Sequence, residues 1–144
     1  MPAQVCVAAA DLPIRRPGDD KTTGIALDEA GRRLTGGPIR SGRTGPAKGA
    51  PGLRRDDPVI DWHRMASVTT HVEGHVAALM RARGGPRRVE LVINNPPCRG
   101  PRSCQRLLPG ALPAGAELIV YVSDARGVRL HQLYQGHGRG VDPS

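Results

Sequence analysis

The chain has 144 residues, a formal charge of +8 with histidines neutral, and a pI of about 10.6. That length suits one domain with a real core, and no run of about 18 apolar residues offers a membrane-spanning helix. Three cysteines make no disulfide framework, and the basic balance points to a polyanionic partner or substrate.

Residues 1–20 carry little periodicity and several prolines and charges, so they read as a poorly ordered lead-in with Cys6 as an inert thiol. Met1 to Pro17 lacks a basic start followed by a long apolar region, so no signal peptide is expected. Thr22 to Leu27 reads as a strand, Asp28 to Gly31 as its turn, and Arg32 to Leu34 as the return strand of a hairpin. From Gly36 to Gly52 the chain is dense in Gly, Pro and basic residues and is a loop by composition. No acidic residue lies between Gly31 and Arg55, so phosphate contact there is a natural expectation.

Pro58 to Trp62 leads toward a helix built on Val76 to Arg81, which Gly84-Gly85-Pro86 stops. Val89 to Ile93 is the clearest strand, and Asn94-Asn95-Pro96-Pro97 breaks it and delivers Cys98. Cys104 to Leu108 opens a second helix, Glu117 to Val122 is a further strand, and Val128 to Tyr134 is the last. The boundaries are therefore 1–20 for the lead-in, 21–136 for one catalytic domain and 137–144 for a mobile tail. Alternating strands and helices give an α/β sandwich, with its site where strand ends and helix starts meet.

The residues that carry chemistry are His71, Glu73, Cys98 and Cys104. Two thiolates and an imidazole hold Zn²⁺ tetrahedrally and leave the fourth position to water. The metal lowers that water's pKa toward neutrality, and a carboxylate that is not a ligand can carry its protons. H71-V-E73 followed by P97-C98 and a second Cys104 matches the zinc deaminase pattern. A helix beginning at Cys104 would favour its thiolate.

Two competing readings bear on the same residues. In mid-helix, residues i and i+2 point about 200° apart, so His71 and Glu73 share a site only if His71 stands at the helix entrance. Glu73 is also placed to be the distal member of a Thr70-x-x-Glu73 capping box. His71 and His75 have the i, i+4 spacing of the metalloprotease helix, but that motif needs Glu directly after the first His, and Val72 stands there. His75 therefore reads as a helix-face residue.

The stretch H71-V-E-G-H-V-A-A-L-M-R81, the segment N94-N-P-P-C98…C104 and the strand L112-P-A-G-A-E-L-I-V120 resemble the DddA-like bacterial toxin deaminases. T23-G-I-A-L-D-E-A-G31 and S41-G42 are similar to that family's N-terminal part, so the resemblance spans residues 20–136. It implies a three-layer α/β/α cytidine-deaminase fold, with a central mixed sheet of about five strands flanked by helices. It implies a zinc-dependent DNA cytosine deaminase with His71, Cys98 and Cys104 as ligands and Glu73 as general acid/base. It further implies a secreted toxin domain, delivered to the cytoplasm of a target cell, with a cognate immunity protein as partner and no membrane association. The usual deaminase spacing is C-x-x-C; here Arg99-Gly-Pro-Arg102-Ser separates the cysteines, and Gly100 and Pro101 let it bulge as a loop.

Some members place an aromatic that enters duplex DNA at that insertion, where this chain has Arg99 and Arg102. Single-stranded DNA is thus slightly favoured over double-stranded DNA. Base stacking would rest on Trp62, Tyr121 or Tyr134, with Trp62 equally readable as core, and Asn94 or Asn95 could bond the ring or sugar or merely shape the turn. The alternatives are deamination of RNA cytidine or a free nucleoside, which lacks the phosphate that +8 charge favours, and a non-catalytic structural-zinc module. A closed structural site needs a fourth protein ligand, and His75 is the nearby candidate.

Overall fold

The computed structural model describes residues 1–15, 21–54, 69–95 and 104–142, with 104–107 described by their backbone alone. Five strands form one mixed sheet: β1 (Thr23–Leu27), β2 (Ile39–Arg40), β3 (Arg88–Ile93), β4 (Glu117–Asp124) and β5 (Gly127–Gln135), in the order β2-β1-β3-β4-β5. β3 and β4 run parallel, while β1–β2, β1–β3 and β4–β5 are antiparallel. A parallel pair needs a crossover, and α3 (Cys104–Ala111) lies within the connection between β3 and β4.

α2 (Val72–Arg81) and α3 cover one face of the sheet, and α1 (Ala3–Ala10) covers the other. The strands alternate accordingly. Val89, Leu91 and Ile93 of β3 and Leu118, Val120 and Val122 of β4 join the core under α2 and α3, while Val92, Ile119 and Tyr121 pack with Val5, Ala8 and Ala9 of α1. β1 is buried along its whole length because both of its faces are covered. The mixed α/β deaminase-like architecture expected from the sequence is thus the one observed.

Three local expectations are corrected. Residues 3–10 form a helix packed on the sheet rather than a loose lead-in; Gln4 Nε2 on α1 donates to Glu90 Oε1 on β3 at 2.9 Å. The return strand is not 32–34: Arg33 makes only an isolated bridge to Leu27, and the partner of β1 is Ile39–Arg40. Asp28 is the reason, since its carboxylate accepts the N–H groups of Ala30 and Arg32 and closes a tight turn before a ladder can extend. The tail is not free over residues 137–142. His137 N–H donates to Pro109, Gly140 N–H to Gly110 and Asp142 N–H to Gly52, and Val141 bridges to Leu53.

Gly24 decides how closely α2 lies on the sheet. A Cβ there would stand 2.7 Å from Val72 Cγ1 and 3.0 Å from both Ile93 Cγ2 and Leu91 Cδ1. Val72 is the first residue of α2 and is β-branched, so it has little rotamer freedom to yield. Gly24→Val is expected to lower unfolding stability by about 1–3 kcal/mol, the usual cost of overpacking, read as a lower urea midpoint. An unchanged midpoint would mean that the helix–sheet spacing is soft.

Candidate functional site

The site is built at the entrance of α2. Residues 69–70 are helical, His71 then breaks into extended dihedrals (φ −78°, ψ 156°), and α2 starts at Val72. His71 is therefore the N-cap, with no side-chain capping bond, and Glu73 lies at the second helical position. The Thr70-x-x-Glu73 capping box is displaced by one residue, because the cap falls at His71 and not at Thr70. An extended His71 is also outside the helical rotation that would force it about 200° from Glu73, which is the placement an i, i+2 pair needs. His71 is half-buried, and Glu73 is only 3% exposed in the first turn of α2. A carboxylate in a first turn is favoured by the helix dipole.

His75 has a different occupation. Its ring is fully buried, Nδ1 accepts the Ala47 N–H at 3.1 Å, and Nε2 lies 2.9 Å from the Gly42 carbonyl. Since Nδ1 accepts, Nε2 carries the hydrogen and donates to Gly42; the imidazole is neutral. Burial holds its pKa below the usual histidine value, the Gly42 bond opposes that shift, and His71 adds to it. Both nitrogens are committed to backbone, so His75 is no metal ligand. It latches the Gly-rich loop onto α2. Gly45 (φ 142°) lies flat against the ring, where a Cβ would be 2.8 Å from Cε1, and Gly42 N–H donates to the Thr70 carbonyl at 2.7 Å.

At the other end of α2, Arg81 clamps the same loop. Its Nε donates to Pro51 and its Nη1 to Ala111 at the end of α3, both at 3.0 Å. Burial lowers its pKa to about 10, which leaves it charged at neutral pH.

The remaining expected residues divide as follows. Asn94 braces the end of β3: its Oδ1 accepts Thr23 N–H at 2.9 Å and its Nδ2 donates to Pro13 at 3.0 Å. Asn95 Nδ2 donates to Thr22 Oγ1 at 3.1 Å. Tyr121 faces α1, across the sheet from α2, and its hydroxyl donates to Glu90 at 3.2 Å; Tyr134 is buried in the main core. Neither tyrosine is placed as a stacking platform for a base. Trp62, Cys98, Arg99 and Arg102 lie outside the described residues, and Cys104 is placed only as the first residue of α3.

Among the described residues no group of three or more His, Cys, Asp or Glu side chains could hold a metal ion; of the expected ligand set only the His71 side chain falls within them. Among the described residues, β3 ends just before the Cys98 segment, a helix starts at Cys104, His71 caps α2, and the His75 imidazole is committed to backbone. These elements leave room for the expected His71, Cys98 and Cys104 set without His75. Sequence reasoning missed the latch itself; the i, i+4 spacing of His75 after His71 and the paired Gly42 and Gly45 were its only signals.

A family model described as SCP1.201-like deaminase matches residues 1–138 of the chain. A search of curated proteins returns no match.

Neutral burial of His75 sets a pH dependence. The unfolded chain takes a proton there near pH 6.5, while the folded chain resists it. Stability from this residue is therefore fully present above the unfolded pKa and is lost as pH falls through the lowered folded value. Urea midpoints should fall on going from about pH 7.5 to pH 5.5, with a shallower fall in His75→Gln. That variant should also lose about 1–3 kcal/mol at pH 7.5 from buried backbone groups left unpaired. Equal pH slopes for both proteins would rule out the latch as their source.

Proposed function

Because the chain belongs to the SCP1.201-like deaminase family, and is thus a hydrolase of the deaminase class, we propose that its substrate is cytosine in DNA. The proposed metal is one Zn²⁺ held by His71, Cys98 and Cys104. The observation that supports this reading best is the pairing of a buried Glu73 in the first turn of α2 with an extended His71 immediately before that helix.

His71, Cys98 and Cys104 would hold the Zn²⁺, whose Lewis acidity would make a water nucleophilic near neutral pH. Glu73 would pass one proton of the attacking water to ring N3 as the C4–O bond forms. It would then carry the second, from the new C4 hydroxyl, to the amino group, which leaves as ammonia when the C4–N bond breaks. Its burial keeps bulk water from competing for the proton. The base has to leave the stack first, which costs a few kcal/mol in a duplex and less in a single strand. With Tyr121 and Tyr134 both committed to packing, and no Phe in the chain, a duplex wedge would have to come from Trp62 or from the Arg99 to Arg102 insertion. Single-stranded DNA is accordingly the favoured substrate. The resemblance to DddA-like toxins supports the wider role of a toxin effector domain restrained by an immunity protein.

A structural-zinc module is the weaker reading, since His75 is unavailable as its fourth ligand. RNA cytidine remains the nearest alternative substrate, separated by running the assay on RNA and DNA strands of one sequence.

Glu73→Ala should abolish uracil formation, by at least about 10²–10⁴-fold, while keeping zinc content and a cooperative melt. Cys104→Ser should lose bound zinc on metal analysis. A Glu73→Ala protein that unfolds yet keeps its activity per folded molecule would make Glu73 structural, and full zinc in Cys104→Ser would remove Cys104 from the ligand set.

Matched oligonucleotides test the strand. The isolated strand should be deaminated at least as fast as the duplex, with activity falling steeply as salt rises. Rapid duplex deamination with little on the single strand would reverse the preference.

A further inference from the structure

A cleft of about 500 Å³ opens between the start of β1, β2 and the Gly-rich loop, beside the entrance of α2. Lys21 and Arg40 line it, together with the hydroxyl-bearing Ser41 and Thr44 and the backbone of Gly42 and Gly45, and among the described residues no acidic side chain does. Both cations are exposed at its rim. The Ser41 hydroxyl oxygen accepts the Thr22 N–H at 2.8 Å, which leaves its own hydrogen free to donate outward.

The cleft is fixed relative to the candidate site. Its Gly42 donates to the carbonyl of Thr70, the residue before His71, and accepts from His75, one turn into α2. Lys21 stands directly over Gly42: a Cβ on that glycine would be 2.5 Å from Nζ. An unbranched Gly42 therefore lets the ammonium sit against the same strip of backbone that holds the α2 entrance. A hydroxyl-bearing cleft whose described charges are all positive, next to a reacting centre, concentrates an anionic chain and not a neutral base.

We propose that this cleft is a subsite for the sugar-phosphate backbone of the substrate strand, in which Lys21 and Arg40 take phosphate oxygens flanking the base presented to Glu73. This rests on the deaminase reading above and deepens it: the enzyme acts on a polymer because recognition begins with a phosphodiester outside the base pocket. Gly42 and Gly45 are needed because both the close approach of Lys21 and the flat packing on His75 require bare backbone.

The test is a salt series of fluorescence anisotropy with a labelled single-stranded oligodeoxynucleotide, alongside steady-state uracil formation on the same strand. Each phosphate neutralised contributes about 0.7 to the log–log salt slope of single-strand binding, so Lys21→Gln/Arg40→Gln should flatten the slope by about 1.4 and raise KM about tenfold. Arg83→Gln/Arg126→Gln, which removes the same charge from exposed sites elsewhere, should leave the slope as in wild type. Lys21→Arg/Arg40→Lys, which keeps both charges, should restore it. Equal slopes for the cleft variant and the distant control overturn the subsite, as does wild-type protein that fails to bind the strand. Wild type that binds with the expected slopes but forms no uracil overturns the deamination reading and leaves the subsite supported.

Discussion

The neutral imidazole of His75 is the interaction on which the rest of the site depends. A histidine side chain with no exposure to solvent is costly unless both nitrogens are paired, and here both partners come from one loop, at Ala47 and Gly42. That loop has few apolar residues with which to hold itself in place. The latch does so instead, with Arg81 closing the far end through Pro51. Because His75 is one turn beyond His71, fixing the loop to His75 also fixes it to the helix entrance. The geometry of the α2 entrance and that of the loop are thus set by the same two hydrogen bonds.

The helix entrance follows from a second constraint, close packing on β1. Gly24 allows Val72 to lie against the strand, and Val72 is the residue between His71 and Glu73. The middle residue of the H-x-E triplet is therefore an anchor in the core, with 1% of its surface exposed. Its neighbours follow from that anchor, with His71 left extended and half-buried and Glu73 drawn beneath the surface. The anchor and the latch, three residues apart on α2, hold it to the sheet and to the loop respectively.

Such a division of labour explains why the chain can be so poor in aromatics and still form a core. Val, Leu, Ile and Ala fill both faces of the sheet, and the two tyrosines are committed to packing. α1 completes the opposite face with small residues, Ala8 and Ala9 among them, which lets the helix lie close to the sheet. An Arg33–Asp11 ion pair joins the end of α1 to the chain just beyond β1; being largely exposed it adds little stability and chiefly defines position.

What the sequence alone determined is what local chemistry encodes. β3 was legible because an uninterrupted apolar run ends in Asn-Asn-Pro-Pro, and α2 because helix formers run into Gly84-Gly85-Pro86. The H-x-E triplet with its two later cysteines stood out in the sequence because metal chemistry demands particular donor atoms at any spacing the chain can loop, and it remains the proposed site. Tertiary structure decided the rest. α1 was missed because a short Ala-rich segment has no stripe of large apolar residues, and its helicity is repaid only by the sheet it covers. The partner of β1 lay at 39–40 because the Asp28 turn prevented an immediate return. The tail was held by backbone bonds to Pro109, Gly110 and Gly52, which leave no mark on side-chain pattern. His75 shows the limit most plainly: the spacing placed it on the helix, but only the fold brought the amide of Ala47 and the carbonyl of Gly42 to its ring, because hydrogen bonds between residues 28 and 33 positions apart are written in no local pattern.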